Sequence, residues 1–490
     1  MKGAHIAALL LVFLASHLIL LDSHPFYKDE ALYAQSIDEF ISSPSIFPTY
    51  FGRVFTWKPM LFFYTYAPLA AILRELPIPL ETAYRLPSLL FGLASAFLVY
   101  GISRRMKLGE GQSLLAAMVY SASNLAAVVE TSLLIDPLLN LLLLAGFYSF
   151  IRARADARWL AAGFAFGALA FLAKTFAAAF LPALAFLFFF FTDRKFAAKP
   201  AFLASLCGPA FGALAYSLMF IAAGNSSALI AEYAVNAGRL PLLSPELLSK
   251  IILGVLSLAY FTLPWISFAV YGMIKTDFRK GRDVFLAYWL MLAIIPLSTA
   301  YALFWYFLPI LPAIALFSAR GFAPDGKLDR LTVLMFCAML AVSMYAAPYL
   351  SYYRTSPDEM ELGKYLSGKE RVLVIATYSP AVLFYKSHGE SPPLFNSTRF
   401  IFHTNASEIT PGELAGMILN NSLPANSSYS FQNLNDIYLM RDAVADGPAL
   451  GWDYVAVDAA LYANGPPILP DFHVEHRTQG LKYAVLKRNA

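Results

Sequence analysis

Charge is scarce in this chain. Only 14% of the 490 residues are Asp, Glu, Lys or Arg, against 59% apolar, and the mean hydropathy is +0.58. So few polar groups cannot cover a soluble surface, which excludes an ordinary soluble enzyme. Cysteine is nearly absent: Cys207 and Cys337 both lie inside apolar runs, so neither a disulfide framework nor a cysteine metal site is supplied. The histidines lack metal-ligand spacing, and His388, His403, His473 and His476 read as surface residues. A net charge of +4 is too small to imply a nucleic-acid partner and bears on topology instead.

Long apolar runs are what the chain has in quantity. They fall near 4–21, 82–101, 112–130, 133–151, 158–173, 176–191, 200–223, 250–274, 284–299, 301–318 and 329–349. A lipid span needs roughly 20 apolar residues, so these predict a polytopic α-helical membrane protein of about eleven spans. The first run is long, has a thin charged start and no small-residue cleavage site before Asp22, and reads as a retained span. Residues 351–490 are ordinary mixed sequence, so two domains are expected: a transmembrane domain over 1–350 and a small α/β domain over 351–490. Within the latter, 371–376, 454–459 and 482–488 read as strands, and 358–366 and 411–420 as helices.

Every second connection is basic: Arg104, Arg105 and Lys107; Arg152, Arg154 and Arg158; Arg194, Lys195 and Lys199; Lys275, Arg279, Lys280 and Arg282; Arg320, Lys327 and Arg330. Positive loops stay cytoplasmic, so the alternate loops and the C-terminal domain are expected outside. Parity then requires that residues 59–76, which contain Pro59 and Pro68, lie along the outer surface without crossing. Five N-x-S/T sequons, at Asn225, Asn396, Asn405, Asn420 and Asn426, fall on segments assigned outside and are glycosylation candidates.

Ionisable groups beside the apolar runs gather on the outer side. Asp29, Glu30 and Lys58 lie in the first outer loop, and Arg85 lies in the first turn of the second span. Glu130 and Asp136 flank the next outer turn, Lys174 marks the one after it, and Glu232 and Arg239 lie in the long loop that follows. Snorkelling would explain the cations taken singly, and helix capping would explain Asp136, but neither explains several acids at one depth. A lipid-linked phosphosugar would use the mixture. Its departing phosphate needs cations, for which Lys58, Arg85, Lys174 and Arg239 are candidates, and an attacking hydroxyl needs a carboxylate base, for which Asp29 or Glu30 would serve. On a helix these two neighbours diverge by about 100°, so only one can face a given cavity.

The motifs resemble those of GT-C glycosyltransferases, in the branch of bacterial aminoarabinose transferases and protein O-mannosyltransferases. "DEALYA" (29–34) is similar to that branch's acidic first-loop motif and "FTWKPML" (55–61) to its aromatic-x-Lys-Pro segment. "YRLPSLLFG" (84–92), "LLIDPLL" (133–139), "LAKTF" (172–176) and "WYFLPILPAIAL" (305–316) follow in the same order. The resemblance implies a sugar donor on polyprenyl or dolichyl phosphate, inversion at the anomeric carbon, and a glycan, protein or lipid acceptor. It implies Asp29 as base, Lys58 and Lys174 at the lipid phosphate, Asp136 on the acceptor side, and Tyr306 among the donor-binding residues. One departure is that "PLSTAYALFWYFLP" lacks the Ser-Lys that often precedes the last motif; Arg239 would compensate. No cofactor is required, and a divalent metal beside Asp29 and Asp136 is the one addition these acids would accommodate. The sequons, with no eukaryotic luminal insert, point to an archaeal plasma membrane.

Two other functions use similar features. An oligosaccharyltransferase of the same fold class would carry Trp-Trp-Asp-Tyr-Gly, of which "GWDYVAVD" (451–458) keeps only Trp-Asp-Tyr, inside an apparent strand. A transporter or flippase would place its charges near the bilayer midplane and show internal repeats, and neither is visible here.

Overall fold

The computed structural model describes residues 2–21, 24–50, 52–55, 58–227, 229–230, 233, 247–293, 303–323, 329–350, 357–369, 372–376, 380–387, 398–402, 453–458, 472–479 and 483–488. The chain forms two compact units, Met1–Ser23 with Thr56–Tyr352 and His24–Phe55 with Tyr353–Ala490. Residues 24–55, expected inside the domain 1–350, therefore group with the C-terminal residues. The reason lies in α2 (Lys28–Ser42) and the residues just before it. Phe26 sets its ring edge-on to Phe384, 5.2 Å between centroids, and its backbone N–H donates to the Tyr385 hydroxyl at 3.0 Å. The hairpin of β1 (Thr49–Tyr50) and β2 (Arg53–Val54) is tied to α2 through Glu39, which accepts from Thr49 Oγ1 at 2.7 Å and from the Gly52 N–H at 3.0 Å.

The first unit is helical because lipid leaves a backbone no partner but itself. In order it contains α1 (Gly3–Leu21), α3 (Leu61–Leu73), α4 (Leu80–Arg105), α5 (Glu110–Ala122), α6 (Asn124–Glu130), α7 (Asp136–Ala153) and α8 (Trp159–Lys174). Then come α9 (Phe180–Thr192), α10 (Arg194–Ala197), α11 (Pro200–Ser205), α12 (Gly208–Ala222), α13 (Leu247–Thr262), α14 (Trp265–Ile274), α15 (Gly281–Met291), α16 (Leu311–Phe322) and α17 (Arg330–Leu350). Against the eleven spans expected, the described residues contain six helical stretches long and apolar enough to cross a membrane, or up to eight if each bent pair is one span.

Two causes account for part of the difference. Some spans are broken: α5 and α6 bend by 58°, and residues 251–274 bend by 105° between α13 and α14. Others run together. The 34-residue stretch Trp159–Thr192 reverses after Lys174, since Phe166 and Leu181 both reach Gly146 on α7, and Arg154 at the foot of α7 pairs with Asp193 at 3.1 Å. Helix α3, with 13 residues, is about 20 Å long, short of the ~30 Å hydrocarbon core, in keeping with the reading of 59–76 as a segment that does not cross.

The two breaks satisfy one another. Trp265 Nε1 donates to the Ala122 carbonyl at 3.0 Å, and Asn124 Nδ2 donates to the Leu263 carbonyl at 3.5 Å, so backbone oxygens released by bending are met inside the protein.

The second unit carries a five-stranded sheet ordered β4-β3-β5-β7-β6. Strand β3 (Val372–Ala376) is parallel to β4 (Thr398–Phe402) and β5 (Tyr454–Asp458), while β7 (Tyr483–Arg488) is antiparallel to β5 and to β6 (Phe472–Arg477). Leu362 and Leu366 of α18 (Pro357–Leu366), Val382 of α19 (Pro380–Ser387) and Val372, Val374, Ala456, Tyr483 and Val485 of the sheet form its core. Three of these strands and α18 match the sequence reading; β4 and β6 are additions to it. The helix expected at 411–420 lies outside the described residues.

Candidate active site

Asp136 begins α7 and Lys174 ends α8, and the reversal of direction between these packed helices brings the two ends together. An acid in a first turn and a base in a last turn each oppose the local helix dipole, so the residue types suit their positions before they meet. Lys174 Nζ then donates to Asp136 Oδ1 at 2.6 Å, with 17% of the lysine and 5% of the aspartate side chain exposed. The ammonium also lies 4.3 Å from the centre of the Tyr306 ring, a cation–π contact. Helix α8 stops abruptly because Thr175 takes φ +30°, one of two non-glycine residues with positive φ among the described residues. A β-branched residue there is a genuine outlier, and it turns the chain immediately after Lys174.

The turn that delivers Asp136 is held from several sides. Tyr66 on α3 donates from its hydroxyl to the Leu134 carbonyl at 3.0 Å and shares a hydrogen bond with Ser88 Oγ at 2.8 Å. Below it, four fully buried side chains form a network. The Tyr120 hydroxyl donates to Glu130 Oε1 in a short hydrogen bond and accepts from Asn140 Nδ2 at 2.8 Å, while His17 Nε2 lies 3.0 Å from Glu130 Oε2. His17, Tyr66, Tyr120 and Asn140 were not singled out from the sequence. A lone polar residue in an apolar run is a weak signal, although their rarity in such runs is itself a pointer.

The other expected residues are distributed as follows. Arg85 is fully buried and donates from Nη1 to the Leu21 carbonyl at 3.4 Å, placing a cation at the C-terminal end of α1. Lys58 is half-buried in the turn before α3. Asp29 and Glu30 belong to the second unit, on the first turn of α2. They do diverge: Glu30 is buried and its Oε2 accepts from the Tyr27 N–H at 3.0 Å, closing the helix start, whereas Asp29 is half-buried. Arg239 and the sequon asparagines Asn396, Asn405, Asn420 and Asn426 lie outside the described residues, and Asn225 follows α12, half-buried. Asp136, considered for a metal, already has an ammonium on its carboxylate, and among the described residues no group of three or more His, Cys, Asp and Glu is placed to hold an ion.

Comparison with known proteins follows the same lines. Residues 58–220, which include Lys58, Arg85, Asp136 and Lys174, match the family described as dolichyl-phosphate-mannose-protein mannosyltransferase. Over 407 residues, 75% of this chain and 69% of the relative, the chain is 25% identical to an undecaprenyl phosphate-alpha-4-amino-4-deoxy-L-arabinose arabinosyl transferase of Proteus mirabilis. The fold resembles that of ArnT from Cupriavidus metallidurans bound to undecaprenyl phosphate, with a TM-score of 0.65 at 13% identity over 99% of this chain and 97% of that one. The Archaeoglobus fulgidus oligosaccharyltransferase tethered to an acceptor peptide is similar at a TM-score of 0.55 and 13% identity, over 98% and 74% of the two chains. The chain is a membrane glycosyltransferase with the fold of the GT-C enzymes, similar in sequence to the aminoarabinose transferases and protein mannosyltransferases.

Proposed function

We propose that the protein transfers a sugar, with inversion, from a polyprenyl-phosphate carrier to a hydroxyl acceptor at the outer face of the plasma membrane. The observation that carries this reading is the Lys174 ammonium, fixed by Asp136 and Tyr306 in a largely buried setting. An ammonium has three donors, so Lys174 can keep Asp136 and still present protons to a phosphate oxygen. In the transfer, the acceptor oxygen bonds to the anomeric carbon and the bond from that carbon to the phosphate oxygen breaks. The electron pair leaves with the polyprenyl phosphate, where a fixed cation stabilises the growing charge. The hydroxyl proton goes to a carboxylate. Asp29 is assigned that role by its first-loop motif, not by a distance, and Lys58 is assigned the second phosphate cation on the same ground.

The outer location is supported by charge along the helices. Asp136 and Arg152 stand near opposite ends of α7, whose 18 residues span about 27 Å, and Arg154 and Arg158 lie beyond its basic end. By the positive-inside rule the Asp136 end faces out.

The test is to incubate purified protein with dolichyl- and undecaprenyl-phosphate carriers bearing labelled mannose, glucose or aminoarabinose, and with peptide, glycan and lipid acceptors. Transfer from one carrier is expected in the wild type, with loss of transfer in Asp29→Asn and weakened donor use in Lys174→Ala. No transfer from any carrier, or full activity in both variants, would overturn the reading.

A further inference from the structure

The buried network beneath Asp136 has no place in the chemistry above, yet it brackets the segment on which that chemistry depends. Glu130 closes α6, residues 131–135 form the turn, and Asp136 opens α7. Asn140 stands four residues after Asp136, one helical turn deeper on the same face. A single hydroxyl links the two sides: Tyr120 donates to Glu130 before the turn and accepts from Asn140 after it. Glu130 is in turn seated by His17 Nε2, and Gly92 on α4 makes room for it. A Cβ built at Gly92 would lie 2.2 Å from Glu130 Oε2. Four polar side chains with no exposure, drawn from α1, α5, α6 and α7, are costly in a membrane and are retained where they hold something in place.

We propose that Tyr120, with Glu130 and Asn140, is a positioning residue for Asp136, fixing both ends of the turn so that the carboxylate meets Lys174 at hydrogen-bond distance. This rests on the reading of Lys174 as the phosphate cation only for its effect on transfer. The geometric part stands without it. Tyr120→Phe removes the bridging hydroxyl and leaves Glu130 and Asn140 each one partner short, with little change of shape.

Two measurements separate this role from a merely structural one. The first is labelling of Lys174 by a small amine-reactive reagent, read by mass spectrometry on the full-length protein in detergent, which needs no enzymatic activity. Asp136→Asn sets the level for an unheld lysine. Tyr120→Phe is expected to approach that level, and to add nothing when combined with Asp136→Asn, because it acts through the same carboxylate. The second is kinetic: the donor KM should rise about tenfold in Tyr120→Phe with a smaller change in kcat, again without further effect in the double variant. If Tyr120→Phe fails to fold, Glu130→Gln and Gly92→Ala disturb the same network and carry the same expectations. Wild-type labelling of Lys174 in folded variants overturns the inference. Additive effects in the double variant overturn it as well. Altered labelling in a protein that transfers no sugar leaves the positioning standing and removes the proposed function instead.

Discussion

Lys174 and Asp136 meet across the ends of two antiparallel helices, 2.6 Å from nitrogen to oxygen and 38 residues apart in sequence. A largely buried pair of this kind owes its persistence less to net attraction than to the cost of leaving either charge alone, because its Coulomb gain is offset by desolvation. Removing one partner and removing both should therefore differ sharply.

The expected outcome is that Asp136→Asn or Lys174→Met singly destabilises the protein by about 3 kcal/mol, while Asp136→Leu combined with Lys174→Met recovers most of that loss. Donor use should stay weakened in the combined variant, because stability is restored but the cation is gone. Thermal unfolding in detergent and a transfer assay, run on the same three preparations, give both readouts.

Thr175 carries a related expectation. Its φ of +30° is a conformation that glycine adopts freely and that costs a β-branched residue about 1–3 kcal/mol. Thr175→Gly relieves that strain at the expense of roughly 1 kcal/mol of extra chain entropy, so its melting temperature should hold or rise. A looser reversal would also let Lys174 swing, and the donor KM should increase several-fold. A fall in melting temperature would show that the threonine side chain contributes more than its backbone costs.

The sequence announced the parts of this site that carry charge and left out those that position it. Asp136 and Lys174 were legible because an acid next to Pro137 and a lysine before a phenylalanine-rich run stand out against lipid-soluble surroundings, and alternating basic loops placed both on one side. That they would bond to each other was not legible, since the contact depends on how α7 packs against α8. The bends at Ser123 and at Leu263–Pro264 fall inside the runs 112–130 and 250–274, where Asn124 and Pro264 are the only local marks of a break, and periodicity alone does not show that Trp265 and Asn124 will serve the broken backbones. Residues 24–55 were assigned by position along the chain, whereas the packing of Phe26 on Phe384 decides their grouping.

Close helix crossing in the first unit yields another test. A Cβ at Gly272 on α14 would lie 2.0 Å from the Phe317 carbonyl oxygen of α16, and one at Gly321 would lie 2.1 Å from that of Phe268. Both obstacles are backbone atoms, which cannot rotate away. Small residues at such crossings let backbones approach where no hydrophobic driving force separates helix from lipid. Gly272→Ala or Gly321→Ala should cost about 1–3 kcal/mol or more, whereas Gly3→Ala, where a Cβ would have no neighbour within 4 Å, should be close to neutral. Melting temperatures of the three variants in one detergent provide the check.

The second unit should respond to pH through β6 and β7. Glu475 lies at the irregularity of β6 between Val474 and His476, and Lys487 on β7 donates to its Oε1 at 3.0 Å. Burial pushes the Glu475 carboxyl upward, but hydrogen bonds from Lys487 and Tyr365 and the charges of Lys487 and Lys369 outweigh it and hold the group below the ordinary glutamate value of 4.5. Its contribution is therefore present above the unfolded value and lost as pH falls through the lower folded one. The Tyr365 phenol is pushed up to about 12, by burial first and by Glu475 next, so its contribution persists below its ordinary value of 10.0 and fades as pH rises through about 12. Wild-type protein should thus keep a stability advantage over Glu475→Gln between about pH 5 and 9, narrowing steadily below pH 4.5. Melting curves of the full-length protein and the variant, taken in parallel from pH 3 to about 8, decide the matter. A gap that stays constant down to the lowest pH would mean that the carboxylate is not the group being titrated.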